Sequence, residues 1–557
     1  MAAIQPQTPE NLNQSPPFLG MNLYETDLAL REAVVREGAG GASGNLAAFG
    51  AKAGSKEAFE LGLRANENPP CIAAESGSGG GDGIILYDPS YHELMATSMG
   101  QGLHCSTWEH LARGGKPQKG AHVARCAAFY MAAQMEAGHC CPVTMTHAAV
   151  AALRYQPDIL DDWLAKILSR NYDPAFVPMT GKTSVTLGMG MTEIQGGTDV
   201  RANITRAEAV EGGGPGGHYS ITGHKYFMSA PMSDAFLVLA QARGGLSCFL
   251  MPRFRPGGGI NEIQILRLKD KLGNRSNASS EAEFHGAYAQ LIGEEGQGVR
   301  TILDMVTLTR LDCAVSSAGL MRFALAQAIH HCRHRSVFQR LLIDQPLMER
   351  VLAHMTLHAE AAAMLVFRLA RAFDGAHDER EKAYRRLMTP VAKYWICKTA
   401  PAFAFEAMEC LGGNGYVEDA SPLARLYREA PVNAIWEGSG NVMCLDVLRV
   451  VRRDPGSVEL VLEELGEAIR GESRLEADLE RIKGMLALNS GLEENGRVLT
   501  GLIAELAAAA LIHAHAPQGI AECYLSARFS APRDAQYGSV EIKGDVHAIL
   551  ERALPRS

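Results

Sequence analysis

The spacing of apolar residues changes twice along the chain. From about residue 22 to 173, apolar positions recur at three- and four-residue steps in segments such as 27–36 and 122–136, which predicts amphipathic helices. Residues 1–20 are rich in Pro, Gln and Asn, so they predict an extended arm that lies across a neighbouring subunit in an oligomer. The Gly-rich segment 75–83 predicts a flexible loop without a function of its own.

Near residue 180 the period changes to two. Short apolar segments separated by Gly and Pro turns predict antiparallel strands at 184–191, 219–229, 236–242 and 247–252. From residue 298 the helical period returns, with one apolar face maintained through 351–373 and again through 389–408. Three further amphipathic segments, 458–469, 475–486 and 498–512, predict a small helical domain at the end of the chain.

These patterns predict an α+β multidomain fold. Its parts are an N-terminal arm and helical domain (1–180), a middle antiparallel β-domain (181–296), a helical bundle (297–451) and a C-terminal helical extension (452–557). A chain of 557 residues with 47% hydrophobic content is long enough to fill several cores.

Composition excludes several classes of protein. A net charge of −9 argues against a protein whose main function is to wrap nucleic acid. Twelve scattered cysteines without a C-x-x-C pair indicate neither a zinc site nor a disulfide framework, and they favour the reducing cytoplasm. No uninterrupted apolar run approaches the length of a membrane span, so we expect no membrane partner. His330, His331 and His334 lack a carboxylate or Cys to complete a ligand set, which predicts a basic helix end and no metal site.

Five ordered motifs point to a flavin site. They are GMGMTEIQGGTDV (188–200), GHKYFMSA (223–230), RHRSVFQRLL (333–342), ECLGGNGY (409–416) and IWEGSGN (435–441), and together they resemble the flavin-site motifs of the acyl-CoA dehydrogenases. The segment RLKDKLGNRSNAS (267–279), the longer REAPVNAIWEGSGN and the extra C-terminal helices are similar to the AidB-type branch of adaptive-response proteins. The resemblance covers essentially the whole chain. It implies FAD as the cofactor, an acyl-CoA or related small molecule as the substrate, and a homotetramer, a dimer of dimers, that shares its FAD sites.

The resemblance also implies which residues contact FAD. The backbone of Met191 and Thr192 and the hydroxyls of Thr192 and Thr198 are expected to bind the flavin edge and its phosphates. Phe227 is expected to stack on the isoalloxazine, with a buried strand residue as the alternative, and Ser229 to contact the side of its redox-active nitrogen. The full set of implied cofactor residues is Met189, Met191, Thr192, Gly197, Thr198, Phe227, Met228, Ser229, Arg335, Phe338, Glu409, Gly412, Gly413, Trp436, Gly438, Ser439 and Asn441.

Two of these motifs depart from the family pattern. Arg335 and Phe338 match an R-x-x-F-G segment that reaches the FAD of a neighbouring subunit, but Gln339 replaces its glycine. The Gly-rich loop 411–415 resembles the segment beneath the second cofactor, yet Glu409 replaces the usual Gln and brings a carboxylate toward an anionic pyrophosphate. The resemblance therefore does not extend to a glycine at residue 339 or to an uncharged side chain at residue 409.

Glu437 is the candidate base. Taken alone, a carboxylate in a Gly-rich segment is more often solvated than catalytic. In the family the base occupies either this position or the one before Arg310, and Thr309 stands at that second position here. The resemblance therefore implies Glu437 as the base, with its backbone N–H in the oxyanion pocket. Arg310 is either its electrostatic neighbour or a satisfied helix arginine.

A second reading is a DNA-associated flavoprotein that protects DNA from alkylating agents and retains weak dehydrogenase activity. The AidB-type branch implies double-stranded DNA as a partner of the C-terminal domain, where Arg452, Arg453, Arg528, Arg533 and Lys543 are the candidate phosphate contacts. Residues 453–557 carry 11 Lys and Arg against 17 Asp and Glu, a net charge of −6, which opposes DNA binding by that domain as a whole.

Overall fold

A computed structural model describes residues 13–73, 83–375, 377–488, 491–529 and 536–556. The expected arm falls within this description only from residue 13, and most of the Gly-rich segment 75–83 lies outside it. The N-terminal helices are α1 (Leu28–Arg36), α2 (Ser43–Ala53), α3 (Lys56–Glu67), α4 (Pro89–Gly100), α5 (Glu109–Ala112), α6 (Ala121–Met135), α7 (Cys140–Leu153) and α8 (Pro157–Ile167). Two short strands, β1 (Cys71–Ile72) and β2 (Ile85–Leu86), form an antiparallel pair between α3 and α4.

A seven-stranded sheet follows. Its strands are β3 (Leu187–Thr192), β4 (Arg206–Ala209), β5 (His218–Ser229), β6 (Ala235–Ala242), β7 (Gly245–Pro252), β8 (Ile263–Leu268) and β9 (Ser279–Ile292). They pair in the order β3-β5-β4-β6-β7-β9-β8, with further pairings of β3 to β6 and of β5 to β9. Most pairs are antiparallel, but β3 and β4 pair with β6 in parallel. Alternation of apolar and polar residues is the same in both pair types, so the sequence cannot distinguish them.

The second helical part begins with α9 (Gly298–His334), which is buried along most of its length. A hairpin of β10 (Ser336–Val337) and β11 (Arg340–Leu341) follows. The remaining helices of this part are α10 (Pro346–Asp374), α11 (Glu379–Cys410), α12 (Gly413–Tyr416), α13 (Leu423–Glu429) and α14 (Gly440–Arg453). The helices α9, α10 and α11 pack on one another, and α6 and α7 pack on α9, so one apolar core joins the two helical parts.

The C-terminal helices are α15 (Pro455–Ala468), α16 (Ser473–Leu486), α17 (Gly496–His515), α18 (Gln518–Phe529) and α19 (Val546–Ala553). Within the described residues, α17 is long and apolar enough to cross a membrane. We expected no apolar run of that length from the sequence. However, 61% of its apolar window is buried, and it packs against α10, α11, α14 and α16. These contacts favour a core helix for α17. For the chain as a whole, the predicted α+β multidomain fold with an added helical extension is confirmed.

Candidate active site

Glu437 lies in a tight turn between a 3-10 helix, Val432–Ala434, and the first residue of α14. Its backbone is left-handed, with φ of +57°, and that of Gly438 has φ of +103°. A residue with a Cβ pays roughly 1–3 kcal/mol for this conformation, which persists only where surrounding contacts enforce it. The turn is therefore a constrained feature and differs from the solvated loop that composition alone favours.

The carboxylate of Glu437 is directed at α9. Thr309 donates a hydrogen bond of 2.7 Å from its hydroxyl to Oε2 of Glu437. Burial raises the pKa of Glu437 above its usual value, although the Thr309 hydrogen bond and the positive charges of Lys393 and Arg310 oppose this shift. The result is a carboxylate with a basicity closer to neutral pH than that of an exposed glutamate.

Arg310 binds the backbone of the turn. Its Nε donates to the carbonyl oxygen of Glu437 at 2.9 Å, and its Nη1 forms an ion pair with Asp446 of α14 at 2.9 Å. The structure thus combines the two roles expected for Arg310, because its guanidinium is satisfied within the protein and its charge is also close to the carboxylate.

A cleft opens in front of Glu437 where the sheet meets the two helical parts. Its walls include Met189 of β3, Ser229 of β5, Thr309 of α9, and Trp436 with Glu437, around about 520 Å³ of empty space counted out to its mouth. Residues from distant parts of the sequence thus converge on one carboxylate, which is the arrangement expected of a small-molecule site.

Phe227 lies near the end of β5, opposite Thr192 of β3 in the strand register. Phe227 is 46% exposed, which excludes the alternative of a buried strand residue, and Ser229 is opposite Met189 in the strand register. Met228 points to the other side of the sheet, where it is fully buried in the β-domain core. The Met228 side chain therefore faces away from Phe227, because successive strand residues face opposite sides, and a cofactor contact of Met228 through its backbone stays a prediction.

The loop after β3 contains free hydroxyl groups. Thr192 and Thr198 are partly or fully exposed, and among the described residues their hydroxyls have no protein partner. Gly197 is exposed between them, and the carbonyl of Met191 accepts a bond from Asn203. An exposed aromatic ring beside a row of free donors fits a flavin with its ribityl and phosphate groups.

The hairpin after α9 has its turn at Phe338 and Gln339, which both have positive φ, of +49° and +64°. Gln339, at the position where the resemblance implies Gly, is thus left-handed. Phe338 is 94% exposed. The guanidinium of Arg335 donates at 2.6 Å to the carbonyl of Asn13, which belongs to the expected N-terminal arm. Residue 13 therefore contacts this chain's own hairpin.

The loop after α11 is open. Gly412 has φ of +61° and ψ of −138°, a region that is nearly restricted to glycine, and a Cβ at Gly412 or Gly413 would meet no atom within 4 Å. Glu409 is exposed. These residues leave room for a large ligand over the loop.

The rest of the Glu437 turn is tied to its surroundings. The indole of Trp436 donates to the side-chain oxygen of Asn433 at 2.9 Å. Asn441 accepts a bond of 2.7 Å from Arg497 of α17, and the Ser439 side chain is exposed. Asn441 therefore meets a C-terminal helix, a contact that the motif did not predict.

Sequence reasoning did not identify Lys393 of α11 or Asp446 of α14. Lys393 is 1% exposed and binds the backbone of the Glu437 turn, whereas Asp446 orients Arg310. The sequence does contain a signal for Lys393, which lies among the apolar residues Val391, Ala392, Trp395 and Ile396. A cation within an apolar helix face requires buried partners.

Of the four candidate DNA residues that the structure describes, two are paired with carboxylates and two are exposed. Arg452 is 3.5 Å from Glu493, and Arg528 is mostly buried and paired with Glu505. Arg453 and Lys543 are exposed, and Arg533 lies outside the described residues. His330 is hydrogen-bonded to the carbonyl of Pro16, and no group in the described part of the chain has three ligands suited to a metal ion.

Comparison with known proteins identifies the same architecture. Family profiles match as follows: Adaptive response protein AidB N-terminal domain at residues 13–174, acyl-CoA dehydrogenase middle domain at 188–287, and acyl-CoA dehydrogenase C-terminal domain at 296–451.

Individual relatives agree with these profiles. AidB of Escherichia coli (strain K12) is 48% identical over 496 residues, which cover 89% of each chain. The crystal structure of Caenorhabditis elegans ACDH-11 in complex with C11-CoA has 26% identity and a TM-score of 0.84, and covers 99% of this chain and 93% of its own. An acyl-CoA dehydrogenase complexed with FAD from Bacillus anthracis shares the fold at 18% identity, with a TM-score of 0.62 over 76% of each chain.

Proposed function

The chain belongs to the acyl-CoA dehydrogenase family, in its AidB branch, and from this we propose that it oxidises the Cα–Cβ bond of an acyl-CoA thioester with Glu437 as the base. FAD is the cofactor of the family, and the exposed face of Phe227 and the free hydroxyls of Thr192 and Thr198 fit it. Membership of the acyl-CoA dehydrogenase family makes the protein a flavin oxidoreductase. What we propose in addition is the reaction in which Glu437 acts as the base.

The observation that carries the proposal is the direction of the Glu437 carboxylate. It lies in the wall of the cleft beside Met189 and Ser229, at the end of the strands whose motifs resemble the flavin site. A base for this reaction must reach the α-hydrogen while the β-hydrogen faces the flavin. The position of Glu437 in the cleft wall supports this arrangement.

In the proposed reaction, Glu437 accepts the α-proton from the Cα–H bond, and the electron pair of that bond becomes the Cα–Cβ double bond. When bound, FAD accepts the β-hydrogen as hydride, so the substrate loses one proton and one hydride in total. Within the described residues the backbone N–H of Glu437 donates to no protein acceptor, which leaves it free to bind the thioester oxygen. Burial of the carboxylate brings its pKa nearer the working pH, which suits a general base.

The proposed substrates are short or branched acyl-CoA thioesters. The lining of the cleft also includes Thr144 and Asp312, and Asp312 accepts hydrogen bonds from Arg125 at 2.6 and 2.7 Å. An apolar chain that extended as far as Asp312 would disturb this buried ion pair, which is unfavourable.

The test is anaerobic addition of acyl-CoAs of increasing chain length to the FAD-loaded protein, with flavin absorbance as the readout. We expect bleaching by at least one acyl-CoA and a loss of about a hundredfold to ten-thousandfold in its rate for Glu437→Gln. Glu379→Gln, an exposed change on α11, is the matched control and should leave the rate unchanged. Absence of bleaching with every acyl-CoA, or an unchanged rate in Glu437→Gln, contradicts the proposal.

The proposed assembly and location follow the family. We propose a homotetramer in which the hairpin at Phe338 and the loop at Gly412 reach the FAD of a neighbouring subunit, since both project from the chain without covering its own cleft residues. All twelve cysteines are free, which supports a reducing compartment, and the cytoplasm is the proposed location.

A second proposed function is protection of DNA from alkylating agents with double-stranded DNA as a partner. It is supported by the match to the adaptive-response N-terminal domain and by the exposed side chains of Arg453 and Lys543. The ion pairs of Arg452 and Arg528 reduce the charge available to phosphates. A gel shift at low and high salt tests it: salt-sensitive binding that weakens in Arg453→Ala supports DNA as a partner, and no shift at low salt removes it.

A further inference from the structure

Lys393 bridges the two ends of the turn that carries Glu437. From α11 its ammonium donates to the carbonyl of Asn433 at 3.0 Å and to the carbonyl of Gly438 at 2.8 Å. The side chain is buried, with the residue 1% exposed. The two acceptors come before and after Glu437, so one cation fixes the separation of the residues that enclose the base.

The turn requires such a constraint because its backbone is not a favoured one. Glu437 and Gly438 both have positive φ, and relaxation of the turn would rotate the carboxylate away from Thr309. Arg310 holds the middle of the turn through the Glu437 carbonyl. The side chain of Asn433 is anchored separately, by its bonds to Ser316 and Ser317. Lys393 complements these contacts because it restrains both ends at once.

The positive charges of Lys393 and Arg310 also differ in how they are paired. Arg310 is neutralised by Asp446, which in addition contacts Arg386 and Arg449. Lys393 forms no ion pair with a carboxylate among the described residues, and its electrostatic partner is Glu437, whose pKa it lowers. Leaving a buried ammonium bound only to carbonyl oxygens is costly, so its presence beside the base is informative.

We propose that Lys393 is a positioning residue for the Glu437 base: its two hydrogen bonds hold the turn in its left-handed conformation, and its ammonium is the counter-charge of the carboxylate. The proposal rests on the proposed function of Glu437. Other titratable or charged groups near Glu437 are Arg310 and Cys313 from α9, Cys141 from α7, and Asp312 and Glu429 in the cleft wall.

The experiment compares Lys393→Met, which keeps the length of the stem and removes the ammonium, with Lys393→Gln, which keeps a donor without the charge. Lys382→Met is the control, because Lys382 is partly exposed on the same helix and pairs with Glu379. Each FAD-loaded variant is first checked for its flavin spectrum and thermal unfolding. The rate of anaerobic flavin reduction by an acyl-CoA that bleaches the wild type is then measured against pH.

We expect Lys393→Met to reduce the rate about tenfold to a hundredfold, since a displacement of about 1 Å at a catalytic group has an effect of this size. The acid limb of its pH profile should move to higher pH, because the carboxylate loses a positive neighbour. Lys393→Gln should recover part of the rate while its acid limb stays displaced. Lys382→Met should resemble the wild type in both respects.

A second readout does not depend on turnover. Amide hydrogen exchange of residues 433–440 should accelerate in Lys393→Met and remain unchanged in Lys382→Met. A folded Lys393→Met protein with wild-type exchange in this turn and a wild-type pH profile overturns the proposal. If no acyl-CoA bleaches the wild type, the proposed function fails, while the exchange measurement still decides whether Lys393 holds the turn. If Lys393→Met does not fold, Lys393→Gln supplies both comparisons.

Discussion

Glu437 combines a left-handed backbone with a half-buried carboxylate whose pKa is raised by loss of solvent. Either feature alone is destabilising, and both persist because Thr309, Arg310 and Lys393 contact different atoms of the same turn. This concentration of unfavourable local structure at one residue is typical of a functional site. The contacts that hold the turn also affect the pKa of the Glu437 carboxylate.

Thr309→Val tests this ionisation. The base is active as the carboxylate, so the rate of flavin reduction falls as the pH falls through the raised pKa of Glu437. The Thr309 hydrogen bond lowers that pKa, and its removal raises the pKa further. We expect the acid limb of the pH–rate profile to move to higher pH, with a loss of about threefold to tenfold on that limb. The rate at high pH should change little, and an acid limb that stays in place contradicts this account.

At the scale of elements, the loop after β3 depends on a buried ion pair. Lys225 of β5 contacts Glu193 at 2.8 Å, and Glu193 also accepts backbone N–H groups of Ile204 and Thr205. Burial lowers the pKa of Lys225 to about 8, so its ammonium is still mostly protonated at neutral pH. Burial also opposes ionisation of Glu193, but Lys225 and the hydrogen bonds reduce its pKa to about 2.

Lys225→Met should therefore destabilise the protein by about 3–5 kcal/mol, because it leaves the Glu193 carboxylate buried without its cation. Chemical denaturation measures this change, and Lys225→Met combined with Glu193→Gln should recover much of it. The folded pKa of Glu193 is below the unfolded value of 4.5, so its stabilising contribution is present above pH 4.5 and is lost as the pH falls toward 2. Full stability of Lys225→Met would show that the pair is dispensable.

The described part of the N-terminal arm, residues 13–20, also stabilises another element, the β10–β11 hairpin. Asn13 forms two side-chain bonds with the backbone of Ser336, at 2.7 and 2.8 Å, and Phe18 stacks on His330 at 4.3 Å. These contacts fix the β10–β11 hairpin, whose turn has two left-handed residues.

Asn13→Ala should weaken FAD binding by about threefold to tenfold, since it removes the restraint on a hairpin that we propose to contact a neighbouring FAD. Fluorescence titration of the flavin-free protein measures the affinity. Ser15→Ala is the control, because the Ser15 hydroxyl bonds only to the adjacent Pro16 among the described contacts. Equal affinities of the two variants would separate the arm from the cofactor site.

At the scale of the whole molecule, several large apolar side chains are exposed on one chain, including Phe338, Leu347 and Tyr416. Phe338 and Tyr416 belong to the two segments that resemble neighbour-contacting flavin motifs. Exposure of this kind is expected of surfaces that are covered on assembly.

We therefore expect light scattering to give a mass about four times the chain mass of 59.9 kDa. Phe338→Ala should weaken FAD binding about tenfold, although Phe338 is absent from the wall of its own chain's cleft. A monomer that binds FAD as tightly as the assembly would rule out shared sites. Val35→Ala, an exposed apolar change on α1, is the control.

The sequence by itself determined the order of helices and strands, because the periods of 3.6 and 2 are local properties of the chain. It also determined the family, since the five motifs are short and ordered, and with it FAD as the cofactor. Glu437 was identified from its motif and because Thr309, which is not a carboxylate, stands at the other position that the base occupies in the family. Its catalytic role stays a prediction.

Only the tertiary structure decided which groups surround Glu437. Thr309 and Lys393 are distant from it in sequence, and Asp446 acts on the turn only through Arg310 of α9, so these contacts depend on how α9, α11 and α14 pack. The same holds for the opposite orientations of Phe227 and Met228 relative to the sheet, and for the neutralised arginines of the C-terminal helices. Residue types and spacing specify which elements form, whereas burial, hydrogen bonding and pairing of charges are properties of elements brought together by packing.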